Sequence, residues 1–108
     1  MIARVWRAYT KPSNADKFEA TLKPELLPGL GNLKGYRGSF VLRQPLGEEV
    51  EFVTVILWDS MEAILAVAGA NYETAVVPPE RRKLLAHYEP KAFHYEVASM
   101  HGFPQAKR

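Results

Sequence analysis

Apolar positions recur along this chain with two periods. The strongest signal is Val50–Trp58, read Val-Glu-Phe-Val-Thr-Val-Ile-Leu-Trp. Alternate side chains of a strand leave opposite faces, so Val50, Phe52, Thr54, Ile56 and Trp58 share one face and Glu51, Val53, Val55 and Leu57 the other. Both faces are mostly apolar, which predicts a central strand covered on both sides. Ile2–Tyr9 predicts a first strand, with Ile2, Arg4, Trp6 and Ala8 opposed to Ala3, Val5, Arg7 and Tyr9. In Tyr36–Gln44 the same alternation sets Tyr36, Gly38, Phe40 and Leu42 against Arg37, Ser39, Val41 and Arg43. Pro45-Leu46-Gly47-Glu48 supplies a turn short enough to join this strand to the central one as an antiparallel hairpin. Ala92–Ala98 predicts a last strand, with Phe93, Tyr95 and Val97 facing away from Ala92, His94 and Glu96.

Between these runs the period lengthens. Ala15, Phe18, Leu22 and Leu26 fall on one helical stripe, predicting a helix over about 14–26 that Pro24 kinks or shortens. Ser13 and Asp16 have capping-box spacing at its start. Ser60, beside Asp59, caps a second helix through Met61, Ile64, Leu65 and Ala68, which Gly69 stops. Residues 71–77 read as irregular. Pro78-Pro79 opens a short helical turn over Glu80–His87, with Leu84 and Leu85 docked and Arg81, Arg82 and Lys83 forming a solvated face.

The order β-α-β-β-α-β is an α+β, ferredoxin-like split βαβ fold: a four-stranded antiparallel sheet with both helices on one face. Residues 1–98 form this single domain, and 99–108 read as a polar C-terminal tail. Two helices shield one side of the sheet only. The other side carries an apolar patch large enough to require a partner, and a homodimer pairing through the sheet faces covers it in both copies at once.

Composition narrows the class. Of 108 residues, 47% are hydrophobic and 24% charged, ordinary globular values. Fourteen basic against twelve acidic residues leave a formal charge of +2, too small for a strong phosphate-binding field despite a pI near 9.0. There is no cysteine, hence no disulfide and no thiolate site. The N-terminus lacks the apolar core of a signal peptide, and no apolar run reaches membrane-spanning length. The expectation is a soluble cytoplasmic protein bound neither to nucleic acid nor to membrane.

Four segments carry a resemblance: Met1-Ile-Ala-Arg-Val-Trp-Arg, Gly35-Tyr-Arg-Gly-Ser-Phe-Val-Leu-Arg43, Leu57-Trp-Asp-Ser-Met-Glu-Ala-Ile64 and His94-Tyr-Glu-Val97. Together they resemble the antibiotic biosynthesis monooxygenase domain family over nearly all of residues 1–98. The resemblance implies a dimeric α/β barrel. The family's members include oxygenases that use no metal or flavin, and haem-degrading enzymes. For the cofactor-free branch it implies an acidic aromatic or quinone-like substrate that loses a proton and itself passes an electron to dioxygen, with no cofactor and no metal site. Such chemistry needs a dry pocket and a cation for the developing anion. On that reading Arg4 is the cation, Trp6 an aromatic wall or donor, and His94 a base. Tyr36 and Trp58 line the substrate cavity. The haem-degrading branch uses an asparagine, a tryptophan and a histidine where an ungapped reading here meets Trp6, Val67 and Val77.

Plainer readings stand beside these. Trp6 and Trp58 are of a type more often found as core or interface residues than as catalytic ones, since large aromatics dominate buried area. Arg4 must find a carboxylate, a carbonyl or a ligand anion, so it is either an interface ion pair or a site residue. His94 could be structural, held by Glu96. His87, His94 and His101 lack the pairing of a zinc site, and Gly29-x-Gly31 lacks dinucleotide spacing. Gly38-Ser39-Phe40 lacks the second glycine of a nucleophile elbow. Lys34–Val41 is similar to the aromatic signature of RNA recognition motifs but sits on the second strand rather than the third. Three functions remain in order: a cofactor-independent monooxygenase of a small aromatic or quinone-like substrate, a non-catalytic small-molecule-binding or structural homodimer, and a haem-binding protein.

Overall fold

The computed structural model describes residues 1–103. Its centre is the pairing of β1 (Ile2–Thr10) with β3 (Glu49–Trp58), antiparallel from Ile2 opposite Trp58 to Thr10 opposite Val50. On the far side of β3 lies β2 (Tyr36–Leu46), joined to it through Gly47 and Glu48. Pro45 falls within β2, which edge position tolerates because a proline there withholds no inner ladder bond. β1 carries the last strand position on its other edge, giving the order β2-β3-β1 and then two short segments. The architecture is the α+β, antiparallel, ferredoxin-like arrangement that the alternation predicts.

Those two segments correct the expected single strand over Ala92–Ala98. β4 (His87–Tyr88) pairs with Ala8 and Tyr9, and β5 (Phe93–Glu96) pairs with Ile2–Val5. Pro90 lies between them and has no N–H to donate, so the ladder breaks there. Because His87 is already in the sheet, the expected helix over Glu80–His87 is limited to α3 (Pro79–Arg82) plus a turn closed by Leu84 and Leu85.

α1 (Pro12–Pro24) begins two residues earlier than its capping-box reading. Pro12 sits at the first helical position, where its missing N–H costs nothing, and Lys11 is the N-cap without a side-chain bond, so Ser13 does not cap. Past Pro24 the chain widens into a π-helical turn, Glu25–Gly29. α2 (Met61–Ala68) starts as expected: Ser60 Oγ accepts from Ala63 N at 3.2 Å, and Gly69 follows its end at φ +77°.

Both helices pack on the face formed by Ala8, Thr10, Val50, Phe52, Thr54 and Trp58. Phe18 of α1 is fully buried, edge-on to Phe52 at 4.9 Å. Ile64 anchors α2. Gly35 sets how closely the β2 approach meets α2: its φ is +91°, and an added Cβ would lie 2.5 Å from Ala63 Cβ. The opposite face has no helix. Val5, Val53, Val55 and Leu57 lie at its centre, and Phe40, Leu42, Phe93 and Tyr95 are exposed on its flanks.

A bulge between Tyr36 and Gly38 breaks the simple alternation of β2. Gly38 takes φ +142°, and Tyr36 stands opposite Trp58 on the helix-covered side with Ser39 and Val41. Tyr36 therefore does not share a face with Phe40 and Leu42 as the period of two predicts. Of the tail expected over 99–108, residues 104–108 lie outside the described residues.

Candidate functional site

Between the sheet and the helices run two adjoining cavities. The smaller, about 90 Å³, has Arg4, Trp6, Thr54 and Ile56 as its floor, Leu22, Glu25 and Leu26 on the α1 side, and Val76 and Arg81 from the C-terminal half. The larger, about 320 Å³, reaches on to Trp58, Ile64, Val67 and Asn71. Arg4, Glu25, Ile56 and Val76 belong to both, so the two make one cleft. Its walls are apolar apart from two guanidinium groups, one carboxylate and a few neutral polar side chains.

Arg4 points into this cleft because even-numbered positions of β1 face the helices. Its Nη1 donates to the Tyr72 carbonyl and, at 3.0 Å, to His94 Nε2. The register explains the second bond, since Arg4 and His94 are cross-strand partners. Among the described residues no carboxylate lies within ion-pairing distance of Arg4. Within the chain, Arg4 is therefore held by a carbonyl and a ring nitrogen rather than by a carboxylate. Burial lowers its pKa from the ordinary value, though a guanidinium keeps its proton at neutral pH.

His94 is held below the usual histidine value of 6.5, first by burial and then by the Arg4 charge, with Glu73 pulling the other way. A neutral ring accepting at Nε2 follows from both the bond and the shift. Tyr72 meets it edge-on at 5.1 Å. Glu96, the partner suggested by the sequence, makes no bond to it; the cross-strand Arg4 does. His94 is absent from the lining of both cavities, and its Nε2 is taken up by the bond to Arg4.

Trp6 lines the smaller cavity, but its Nε1 donates to the Glu89 carbonyl at 2.7 Å. The indole N–H is thus committed to the backbone while Trp6 lines the cavity. Trp58 lines the larger cavity and is almost fully buried, with its Nε1 unpartnered. Tyr36 touches neither cavity. It packs on Trp58 at 5.9 Å and bonds Ser39 Oγ at 2.6 Å, so it backs the floor rather than forming it.

Arg81 and Glu25 escaped the sequence reading. Arg81 is turned inward and ion-paired to Glu25, not part of an outward face with Arg82 and Lys83. A signal was available: Arg81 precedes Leu84 and Leu85 by three and four positions, and residues so spaced share a helical face. Leu84 and Leu85 dock against the core, so Arg81 docks with them.

The fold recurs in solved structures. A candidate antibiotic biosynthesis monooxygenase from Bacillus cereus superposes with a TM-score of 0.71 at 16% identity, over 97% of this chain and 98% of the other. The haem degrader MhuD of Mycobacterium tuberculosis, solved with two haems in its active site, gives 0.61 at 23% identity over 94% and 100%. A further candidate monooxygenase, from Chloroflexus aurantiacus, gives 0.57 at 18% identity over 94% and 96%. No curated protein sequence matches the chain. The family model for antibiotic biosynthesis monooxygenases matches residues 1–76, which span β1 through α2 and most of the cleft, and on that match the chain belongs to the antibiotic biosynthesis monooxygenase family.

Proposed function

We infer that the cleft binds a small aromatic or quinone-like molecule as its anion, and that the protein is a monooxygenase working without metal or flavin. The observation that supports this best is Arg4, a half-buried cation whose two hydrogen-bond partners, the Tyr72 carbonyl and His94, are both neutral. Burying a charge among neutral groups costs free energy, and an anionic ligand offsets that cost. In an apolar cleft a fixed donor stabilises a phenolate or carbanion more than water does. The ionised substrate passes an electron to dioxygen and the radical pair combines. Loss of water then leaves a quinone carbonyl at the ring carbon para to the phenolate oxygen, where a C–H stood, with one oxygen atom in the product and the other in water.

Arg4 holds the anion, Trp6 walls it and Trp58 floors the larger cavity. His94 orients Arg4 and is not the base, and Tyr36 acts only by backing Trp58. Haem does not fit this lining. Among the described residues neither cavity has a histidine, cysteine, methionine or tyrosine side chain to serve as axial ligand. The open sheet face supports a homodimer: an apolar centre flanked by Phe40, Leu42, Phe93 and Tyr95, each 45–54% exposed, is surface a second copy would cover. Among the described residues no helix is long and apolar enough to cross a membrane. The cysteine-free sequence suits a cytoplasmic setting.

Oxygen uptake in an electrode cell, with a naphthalene diol as substrate, tests this reading. Uptake should depend on protein and fall roughly a hundredfold or more in Arg4→Ala. Trp6→Phe should lower it less, with the dimer intact in both variants. Unchanged turnover in both would remove these residues from the mechanism.

A further inference from the structure

Resting on that reading, we propose that Glu25 occupies the place of an acidic group of the ligand, so that the cleft selects aromatic compounds carrying a second acid besides the group facing Arg4. Arg81 carries the inference. It lines the smaller cavity together with Arg4, and its side chain is only 14% exposed. Its Nη2 pairs with Glu25 Oε1, while its Nε is buried and has no hydrogen-bond partner. A guanidinium offers a planar fork that takes a carboxylate through two parallel N–H bonds. Here half of that fork is unused.

Glu25 is the more exposed member of the pair. Its side chain is 44% exposed and stands on the π-helical turn at the edge of the cleft. A carboxylate so placed gives up an ion pair for water at little cost. The cleft then holds two cations, Arg4 and Arg81, with only Glu25 against them. A ligand with one acid leaves Glu25 where it is. A ligand with two displaces it, sets its own carboxylate on Nε and Nη2 of Arg81, and meets both cations.

The test is calorimetric titration without oxygen, using the whole chain and two matched probes, 2-naphthol and 6-hydroxy-2-naphthoic acid. The wild type should bind the hydroxy acid at least roughly tenfold more tightly, a difference of about 1.4 kcal/mol. Arg81→Gln should abolish the preference for the hydroxy acid. Arg81→Lys, which keeps the charge without the fork, should retain only part of it. Glu25→Gln should tighten the hydroxy acid several-fold by removing the competitor. Equal binding of both probes by the wild type, or a Glu25→Gln protein no tighter for the acid, overturns the proposal. If 2-naphthol binds in an Arg4-dependent way without any preference for the acid, the proposal fails while the monooxygenase reading stands. If neither probe binds, both fail. Circular dichroism of each variant establishes folding, and Glu25→Gln with Arg81→Lys decides the matter should Arg81→Gln not fold.

Discussion

Replacing Arg4 with methionine keeps most of the stem volume and removes the charge, and two opposite consequences can be weighed. The fold loses the bonds to the Tyr72 carbonyl and His94 Nε2. A hydrogen bond involving a charged group is worth roughly 1.5–3 kcal/mol, and two acceptors are left unpaired. Against that, a half-buried cation with no anionic partner is no longer removed from water, a relief of several kcal/mol. The terms nearly cancel, so stability should change by no more than about 1–2 kcal/mol in either direction. Binding of an anion has no such cancellation. Removing a fixed donor from a developing oxyanion costs roughly a hundredfold or more in turnover. Urea unfolding gives the first quantity and oxygen uptake with a naphthalene diol the second. A variant destabilised by more than about 3 kcal/mol with uptake intact would refute the reasoning and make Arg4 a structural residue.

Three further outcomes follow from the same geometry. Gly35→Ala places a Cβ against Ala63 at a φ of +91° and should destabilise by roughly 2 kcal/mol or more; adding Ala63→Gly should recover part of that in a double-mutant cycle by thermal melting. Val55→Asp, central on the open face between Val5 and Phe40, should turn a dimer into monomer in analytical ultracentrifugation with the far-ultraviolet spectrum retained. The depressed pKa of His94 means that the unfolded chain takes up this proton first as pH falls. Its contribution to stability is therefore whole above the ordinary value of 6.5 and is lost as pH drops through it. Denaturation midpoints across that range should fall in the wild type and fall less in His94→Gln.

Alternation alone groups Arg4 with Trp6 on one face of β1 and Trp58 with Phe52 on one face of β3, because both strands are regular from end to end; that the helices cover these faces is visible only in the fold. Tyr36 lies on the face opposite to the one a period of two predicts, since Arg37 is an extra residue between the pairs Tyr36–Trp58 and Gly38–Leu57 and reverses what precedes it. The Arg4–His94 bond joins residues 90 positions apart and exists only through strand register. Arg81 was misread because three consecutive basic residues look like a solvated face, whereas docking of Leu84 and Leu85 fixes which one turns inward. Glu25 depends on the π-helical turn after Pro24, and the widening of a helix past a proline is set by tertiary packing rather than by local composition.

The most direct measurement is a crystal structure of the protein with 6-hydroxy-2-naphthoic acid. The naphthol oxygen should lie within hydrogen-bond distance of the Arg4 guanidinium, with the ring against Trp6. A ligand seated on the open sheet face, or Arg4 neutralised by a carboxylate of its own chain, would contradict the account.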